Sequence, residues 1–139
     1  MPKQLFLTSK IKLMKLNKYV DISTVEREAK KDYIDRHSPF VYCDDTAKKG
    51  EKFKVTVKVG NEYTHPDDFD HYISYVQLWD GETLLAQSNY EPGTLGNMPG
   101  HVEVDFYVVP TKSKMKLSAT AYCTKHGLWA NEEKVVAVS

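Results

Sequence analysis

The sequence predicts a mainly β protein, an antiparallel β-sandwich preceded by one N-terminal helix. Apolar and polar residues alternate in several short segments, most clearly from Phe53 to Val59 and from Met115 to Ala121. That period of two is typical of strands with one buried face. Turn signals separate the segments, and Asp80-Gly81 is a strong signal for a hairpin. Helical spacing occurs in one stretch, ahead of all these strands.

The predicted helix extends from about Ser23 to Asp35. Its first residues, Ser23-Thr24-Val25-Glu26, match a capping box, in which the Ser23 hydroxyl accepts from the backbone amide of Glu26. Apolar side chains then follow at helical spacing: Val25, Ala29 and Tyr33. Pro39 disfavours helix at the residue before it, so the helix should end close to His37.

The predicted strands account for most of the remaining chain. They are Phe53–Val59, His71–Trp79, Thr83–Ala86, Val102–Val108, Met115–Cys123 and Lys134–Val138. The stretch Asn89–Gly100 is rich in glycine and proline and should form a surface loop. We divide the chain into an N-terminal arm and helix, residues 1–34, and a β-sandwich domain, residues 35–139, within a single domain overall.

Composition excludes several functional classes. Charged residues make up 27% of the 139 residues and the net charge is zero, which argues against a nucleic-acid binder. No apolar run is long enough to span a membrane or to form a signal-peptide core. Five lysines and no acid fall within the first twenty residues, which we interpret as an arm that packs on the body or on a neighbouring subunit.

The two cysteines, Cys43 and Cys123, indicate a reducing compartment because no signal sequence accompanies them. We therefore expect a cytoplasmic protein with free thiols. A Cys43–Cys123 disulfide is the less favoured alternative.

Short motifs place most of the histidines beside other metal-ligating residues or prolines. Cys123 and His126 are three residues apart, and thiolate and imidazole suit iron, zinc or copper. His65 and His71 are six residues apart, and His37 stands within Asp35-Arg36-His37-Ser38-Pro39. Each of these has a simpler interpretation, such as a buried core cysteine or a histidine in a turn. The remaining histidine, His101, is interpreted as an ordinary surface residue.

Together and in this order, the motifs resemble the superoxide reductase family. The resemblance is carried by Arg36-His37-Ser38-Pro39, His65-Pro66, His71-Tyr72-Ile73 and Tyr122-Cys123 with His126-Gly127-Leu128-Trp129. It extends from about Asp35 to Val138 and is strongest to the one-iron type, neelaredoxin, which corresponds to the catalytic domain of desulfoferrodoxin. The extra four-cysteine iron module of two-iron members has no counterpart here. The sandwich implied by the resemblance is immunoglobulin-like, in agreement with the strand pattern.

The resemblance implies one mononuclear iron ion per chain, ferrous in the active state, with five protein ligands. The matched positions are His37, His65, His71 and His126 in a plane and Cys123 on the axis. Five ligands exceed the four of a closed tetrahedral zinc site. The implied activity is one-electron reduction of superoxide to hydrogen peroxide. The implied partners are superoxide and a small electron-donor protein such as a rubredoxin, and we expect a homo-oligomer without nucleic-acid or membrane partners.

One position pair departs from the family pattern. The usual motif is Glu-Lys-His-x-Pro, in which lysine attracts superoxide and glutamate can close the sixth metal position. Asp35 and Arg36 stand there in this sequence and are the candidate catalytic residues. Both charges are retained, but aspartate is shorter and arginine presents a planar fork instead of a point charge.

Two other functions fit parts of the same pattern. A non-catalytic electron-transfer or iron-binding protein can use the same scaffold and ligands. A binding module with incidental histidines needs no metal at all. Metal content separates the last from the other two.

Overall fold

The computed structural model describes residues 16–139, which form two packed β-sheets and one α-helix. The predicted arm lies largely outside the described residues. No helix in the described part of the chain is long and apolar enough to cross a membrane.

The larger sheet contains seven strands around the long strand β8. Its members are β1 (Leu16–Lys18), β3 (Thr46–Ala47), β5 (Ile73–Asp80), β6 (Thr83–Asn89), β8 (Lys114–Cys123), β9 (Gly127–Ala130) and β10 (Lys134–Val138). On one side β8 pairs with β5, which forms a hairpin with β6. On its other side β8 pairs with β10 along its first residues and with β9 along its last residues. All these pairings are antiparallel, whereas the edge strands β1 and β3 are parallel to their neighbours β9 and β10.

The smaller sheet contains β2 (Pro39–Tyr42), β4 (Phe53–Val59) and β7 (Glu103–Val108), with β4 between the other two. Alternate residues of β4 and β8 are buried between the sheets, as the period of two predicts. They join one apolar cluster, which includes Val55, Val57, Leu78, Leu117 and Cys123. The predicted β-sandwich is therefore confirmed, and Cys123 is the last inward-facing residue of its strand.

The helix differs from the prediction at its start. Helix α1 spans Glu28–His37, and the N-cap residue Arg27 makes no side-chain capping bond. Residues Ile22–Thr24 form a separate 3₁₀ turn because the Asp21 carboxylate caps it by accepting from the Ser23 amide and hydroxyl. The predicted capping box at Ser23 is thus wrong, since Asp21 provides a competing cap. The predicted end at His37 is confirmed, and α1 continues past the boundary expected between residues 34 and 35.

Candidate metal centre

The five candidate ligands come from four separate segments that meet where α1 ends and β5 begins. His37 is the last residue of α1, His65 lies in the loop after β4, and His71 lies just ahead of β5. Cys123 ends β8, and His126 lies in the turn between β8 and β9. The pairing of Ile73 with Cys123 brings the β5 and β8 ends together, which places His71 near the Cys123–His126 turn.

The four imidazole rings form a nearly regular square. Neighbouring ring centroids are 4.9 Å apart for His37–His65, 4.9 Å for His65–His71, 5.0 Å for His71–His126 and 4.9 Å for His37–His126. Each neighbouring pair is edge-to-face, with interplanar angles of 73° to 81°. The diagonal pair His37–His71 is 6.4 Å apart and inclined by only 23°. All four rings thus surround one common centre.

Hydrogen bonds to one nitrogen of a ring show which nitrogen is left to face this centre. His37 Nδ1 lies 2.6 Å from the carbonyl of Tyr33, and His65 Nδ1 lies 2.7 Å from the carbonyl of Pro66. A carbonyl only accepts, so each Nδ1 carries the proton and each Nε2 keeps a free lone pair. Backbone carbonyls orient metal-binding histidines in this way.

The ligand atoms approach one another closely. The His126 ring faces the centre with Nδ1, which lies 3.1 Å from His37 Nε2 and 3.7 Å from Cys123 Sγ. Four of the candidate ligand atoms lie within 4.8 Å of one another, one each from His37, His71, Cys123 and His126. His65 lies outside that tightest group but contacts two of its rings.

Two buried nitrogens in the cluster have no hydrogen-bond partner. They are Nε2 of His65 and Nε2 of His71. An unpaired buried polar atom is costly unless a partner such as a metal ion binds it. The donor set, four imidazoles and a thiolate, therefore fits a metal ion, with donors of the types that iron accepts.

Burial favours the neutral form of three of these histidines, His37, His65 and His71. Burial lowers the pKa of His65 to about 3 and that of His37 to about 4, and it also lowers the pKa of His71. Neutral imidazole is the form that binds a metal. Burial raises the pKa of the Cys123 thiol, with backbone amides of Lys125 and His126 opposing the shift by hydrogen bonding. Burial thus favours the neutral thiol, and a cation bound beside it would favour the thiolate instead.

These depressed values predict how the metal-free protein responds to acid. Below an ordinary pKa of 6.5 the unfolded chain protonates His37 and His65, while the folded chain does not until about pH 4 and pH 3. The unfolded state then binds more protons, so the free energy of unfolding should fall as pH decreases from 6.5 towards 4. Urea denaturation of the metal-free protein at several pH values measures this fall. His65→Gln should reduce the slope and His101→Gln should not; equal slopes in all three proteins would contradict the assignment.

The cluster is closed on one side and open on the other. Cys123, His37 and His65 are buried, whereas His71 and His126 are half-buried. A cavity of about 240 Å³ adjoins the rings of His37, His71 and His126. The last turns of α1 complete its wall with Ala29, Asp32, Tyr33 and Arg36. A small molecule therefore has access to the face of the cluster that α1 borders.

The structure places Arg36 and Asp35 on different sides of α1. Arg36 lines the cavity. Asp35 is 1% exposed and does not line it. Its Oδ2 accepts from the backbone amides of Asn61, Glu62 and Tyr63 at 2.8–3.0 Å. The carboxylate thus anchors the loop after β4, which begins at Gly60, where the φ of 78° suits glycine.

Several supporting residues escaped the sequence analysis. Tyr33 provides the carbonyl for His37 and contacts the rings of His37, His126 and Trp129. The Asn17 amide and the Trp129 indole donate to the carbonyl of His126. Asp67 accepts from three amides of the loop after β6, those of Gly93, Leu95 and Asn97. The aspartate contacts are long-range, so no local sequence pattern could have revealed them.

The two cysteines are free thiols, as expected. Cys43 is half-buried after β2, outside the cluster. His101 is also outside it, and its Nδ1 hydrogen-bonds the carbonyl of Val59.

Comparisons with known proteins show the family to which the chain belongs. A family model described as Desulfoferrodoxin matches residues 24–132. The superoxide reductase of Pyrococcus furiosus is 34% identical over 110 residues, which cover 70% of this chain and 86% of that protein. The solved superoxide reductase (neelaredoxin) of Ignicoccus hospitalis has a TM-score of 0.67 at 25% identity, covering 89% of this chain and 95% of that one. The superoxide reductase of Nanoarchaeum equitans has a TM-score of 0.58 at 33% identity, covering 73% and 93% respectively.

Proposed function

Because the chain belongs to the desulfoferrodoxin family, whose superoxide reductases it resembles in sequence and fold, we propose that it reduces superoxide to hydrogen peroxide. The observation that carries the proposal is the square of four imidazoles with a buried thiol beside it and a cavity at its open face. Such an oxidoreductase needs a redox metal that a small anion can approach.

We propose that one iron ion binds Nε2 of His37, His65 and His71, Nδ1 of His126 and Sγ of Cys123. When bound, iron supplies a one-electron couple, and a thiolate ligand raises the electron density available on the metal. Tyr33 and Pro66 fix the rings of His37 and His65 through their carbonyls, so these two rings are oriented before the metal arrives. The buried Cys123 side excludes water, which leaves the α1 side as the route for substrate.

Arg36 is proposed to attract and hold superoxide at the cavity. A fixed positive charge raises the local concentration of an anion and its rate of arrival. Asp35 was expected to act beside it. The loop amides that occupy its carboxylate support a positioning role instead, through the loop that leads to His65.

The reaction requires one further electron and two protons for each superoxide converted to hydrogen peroxide. The electron must come from outside the chain, and we propose a small electron-donor protein such as a rubredoxin. A homo-oligomer and a cytoplasmic location complete the proposal, the latter supported by two free thiols.

Iron content and superoxide consumption test the proposal together. We expect about one iron per chain, and consumption of superoxide that yields hydrogen peroxide without dioxygen. Iron without that reaction would favour a non-catalytic electron-transfer or iron-binding protein. A chain that takes up no metal at all would contradict both.

Arg36→Ala should slow the second-order reaction with superoxide by roughly tenfold and weaken its dependence on ionic strength. Arg36→Lys should keep most of the rate, because it retains the charge. The measurement is the decay of pulse-generated superoxide at low and high salt. Lys112→Ala is the control, since it removes the same charge just before the start of β8, whose opposite end is Cys123. If Arg36→Ala matches the wild type in rate and salt slope, Arg36 has no part in capture.

A further inference from the structure

The Arg36 guanidinium is held by a second residue of the same helix. Its Nε donates to a carboxylate oxygen of Asp32, one turn earlier in α1. The two side chains are 29% and 32% exposed, and both line the cavity beside His37, His71 and His126. Asp32 is therefore the carboxylate at the open face of the cluster, where the sequence had suggested Asp35.

Because Asp32 accepts from Nε of Arg36, the other N–H donors of the guanidinium remain available to a ligand. A guanidinium has five N–H donors, and Nε carries one of them. Within residues 16–139 the Arg36 side chain makes one hydrogen bond, the bond to Asp32. Its two terminal amino groups are thus left to bind another acceptor, and their planar fork matches two oxygens of a small anion.

Stability does not explain this pair. Ion pairs spaced by four residues at a helix surface contribute little to stability. For the capture of an anion, the Asp32 charge is itself unfavourable, because it offsets the charge of Arg36. What the carboxylate adds is a fixed direction for a long side chain that otherwise has many rotamers.

We infer that Asp32 is a positioning residue, which holds Arg36 by its Nε so that the terminal amino groups face a small anion at the open side of the cluster. This inference rests on the proposed reaction with superoxide. It separates two effects of Asp32: a local ordering that helps the anion bind, and a long-range charge that repels it. Salt screens the second effect and leaves the first.

Superoxide decay with Asp32→Ala distinguishes the two effects. Near 1 M salt, where the Debye length is about 3 Å, the variant should react about three- to fivefold more slowly than the wild type. At low salt the deficit should shrink, because the repulsion is also removed. Asp32→Glu should restore most of the high-salt rate. A residue that contributed charge alone would leave the high-salt rate unchanged, which would overturn the inference.

A double-variant comparison shows whether Asp32 acts through Arg36. At high salt Asp32→Ala combined with Arg36→Ala should be no slower than Arg36→Ala alone. If the two losses multiply, Asp32 acts independently and the inference fails. Glu28→Ala is the matched control, since it removes the same charge from the same helix, where Glu28 accepts from the Tyr63 hydroxyl. It should leave the high-salt rate unchanged.

A second readout needs no catalysis. In zinc-loaded protein with ¹⁵N-labelled arginine, the Arg36 Nε–H should exchange slowly with solvent. Asp32→Ala should speed that exchange by about tenfold or more, while Glu28→Ala should not. Equal exchange in wild type and Asp32→Ala would overturn the inference. If every variant lacks superoxide reduction, the proposed function fails, and this exchange measurement still decides whether Asp32 holds Arg36.

Discussion

The Cys123→Ser protein should lose superoxide reduction and the visible absorption of the oxidised iron protein while remaining folded. Loss of residues that merely orient metal ligands typically costs 10–100-fold, so loss of the thiolate itself should exceed about a hundredfold. The coloured species should vanish because a thiolate-to-metal charge-transfer band requires the sulfur. Serine is nearly isosteric, and the surrounding core is formed by both sheets, so folding should survive. Stopped-flow superoxide decay, the visible spectrum and circular dichroism measure the three outcomes.

The chain contains its own control for this experiment. Cys43 is also a free thiol, but it is half-buried and lies outside the histidine cluster. Cys43→Ser should retain the absorption band and the full rate. Full activity in Cys123→Ser, or loss of colour in Cys43→Ser, would show that the thiolate has been assigned to the wrong residue.

Asp35→Ala should lower the free energy of unfolding by about 3 kcal/mol or more. The carboxylate is buried and accepts from three backbone amides, and each buried donor left without an acceptor costs about 1–3 kcal/mol unless water replaces the lost partner. Asp35→Asn should cost less, because the amide oxygen can still accept. Urea denaturation of the metal-free proteins measures both losses.

Asp32→Ala is the natural comparison, because Asp32 lies on the same helix but its carboxylate pairs only with Arg36, near the surface. Its unfolding free energy should change by less than about 1 kcal/mol. A stable Asp35→Ala protein with slowed superoxide decay would instead return Asp35 to the catalytic role that its sequence position suggested.

Local pattern was sufficient to predict the strands that face the core. In β4 and β8 every second residue is apolar, and a sandwich buries one face of such a strand, so sequence and structure agree closely. The edge strands β1 and β3 have only three and two residues. Backbone hydrogen bonds define these two strands, and they are too short to show an alternation of apolar and polar side chains.

The five candidate ligands were expected from the resemblance to the superoxide reductase family, whose short motifs each keep their residues close along the chain. Cys123 and His126 share one turn, and Gly127, with a φ of 85°, lets the strand reverse there. The positions of Asp32 and Asp35 could not be predicted in this way. They are three residues apart on α1 and point to different surroundings, one to the cavity and one to the loop after β4. That difference depends on tertiary packing.

The turn that carries His126 is held from far away in the chain. The Asn17 side chain donates to the carbonyl of His126, 109 positions later in the sequence, and β1 lies beside β9 only through parallel pairing. Closing so long a segment is slow and entropically costly, so this contact forms only when the rest of the fold brings both ends together. The square of four imidazole rings should consequently be among the last features to form during folding. Metal uptake in a refolding experiment would then report that these distant segments have come together, whereas formation of the β5–β6 hairpin would report only a local step of folding.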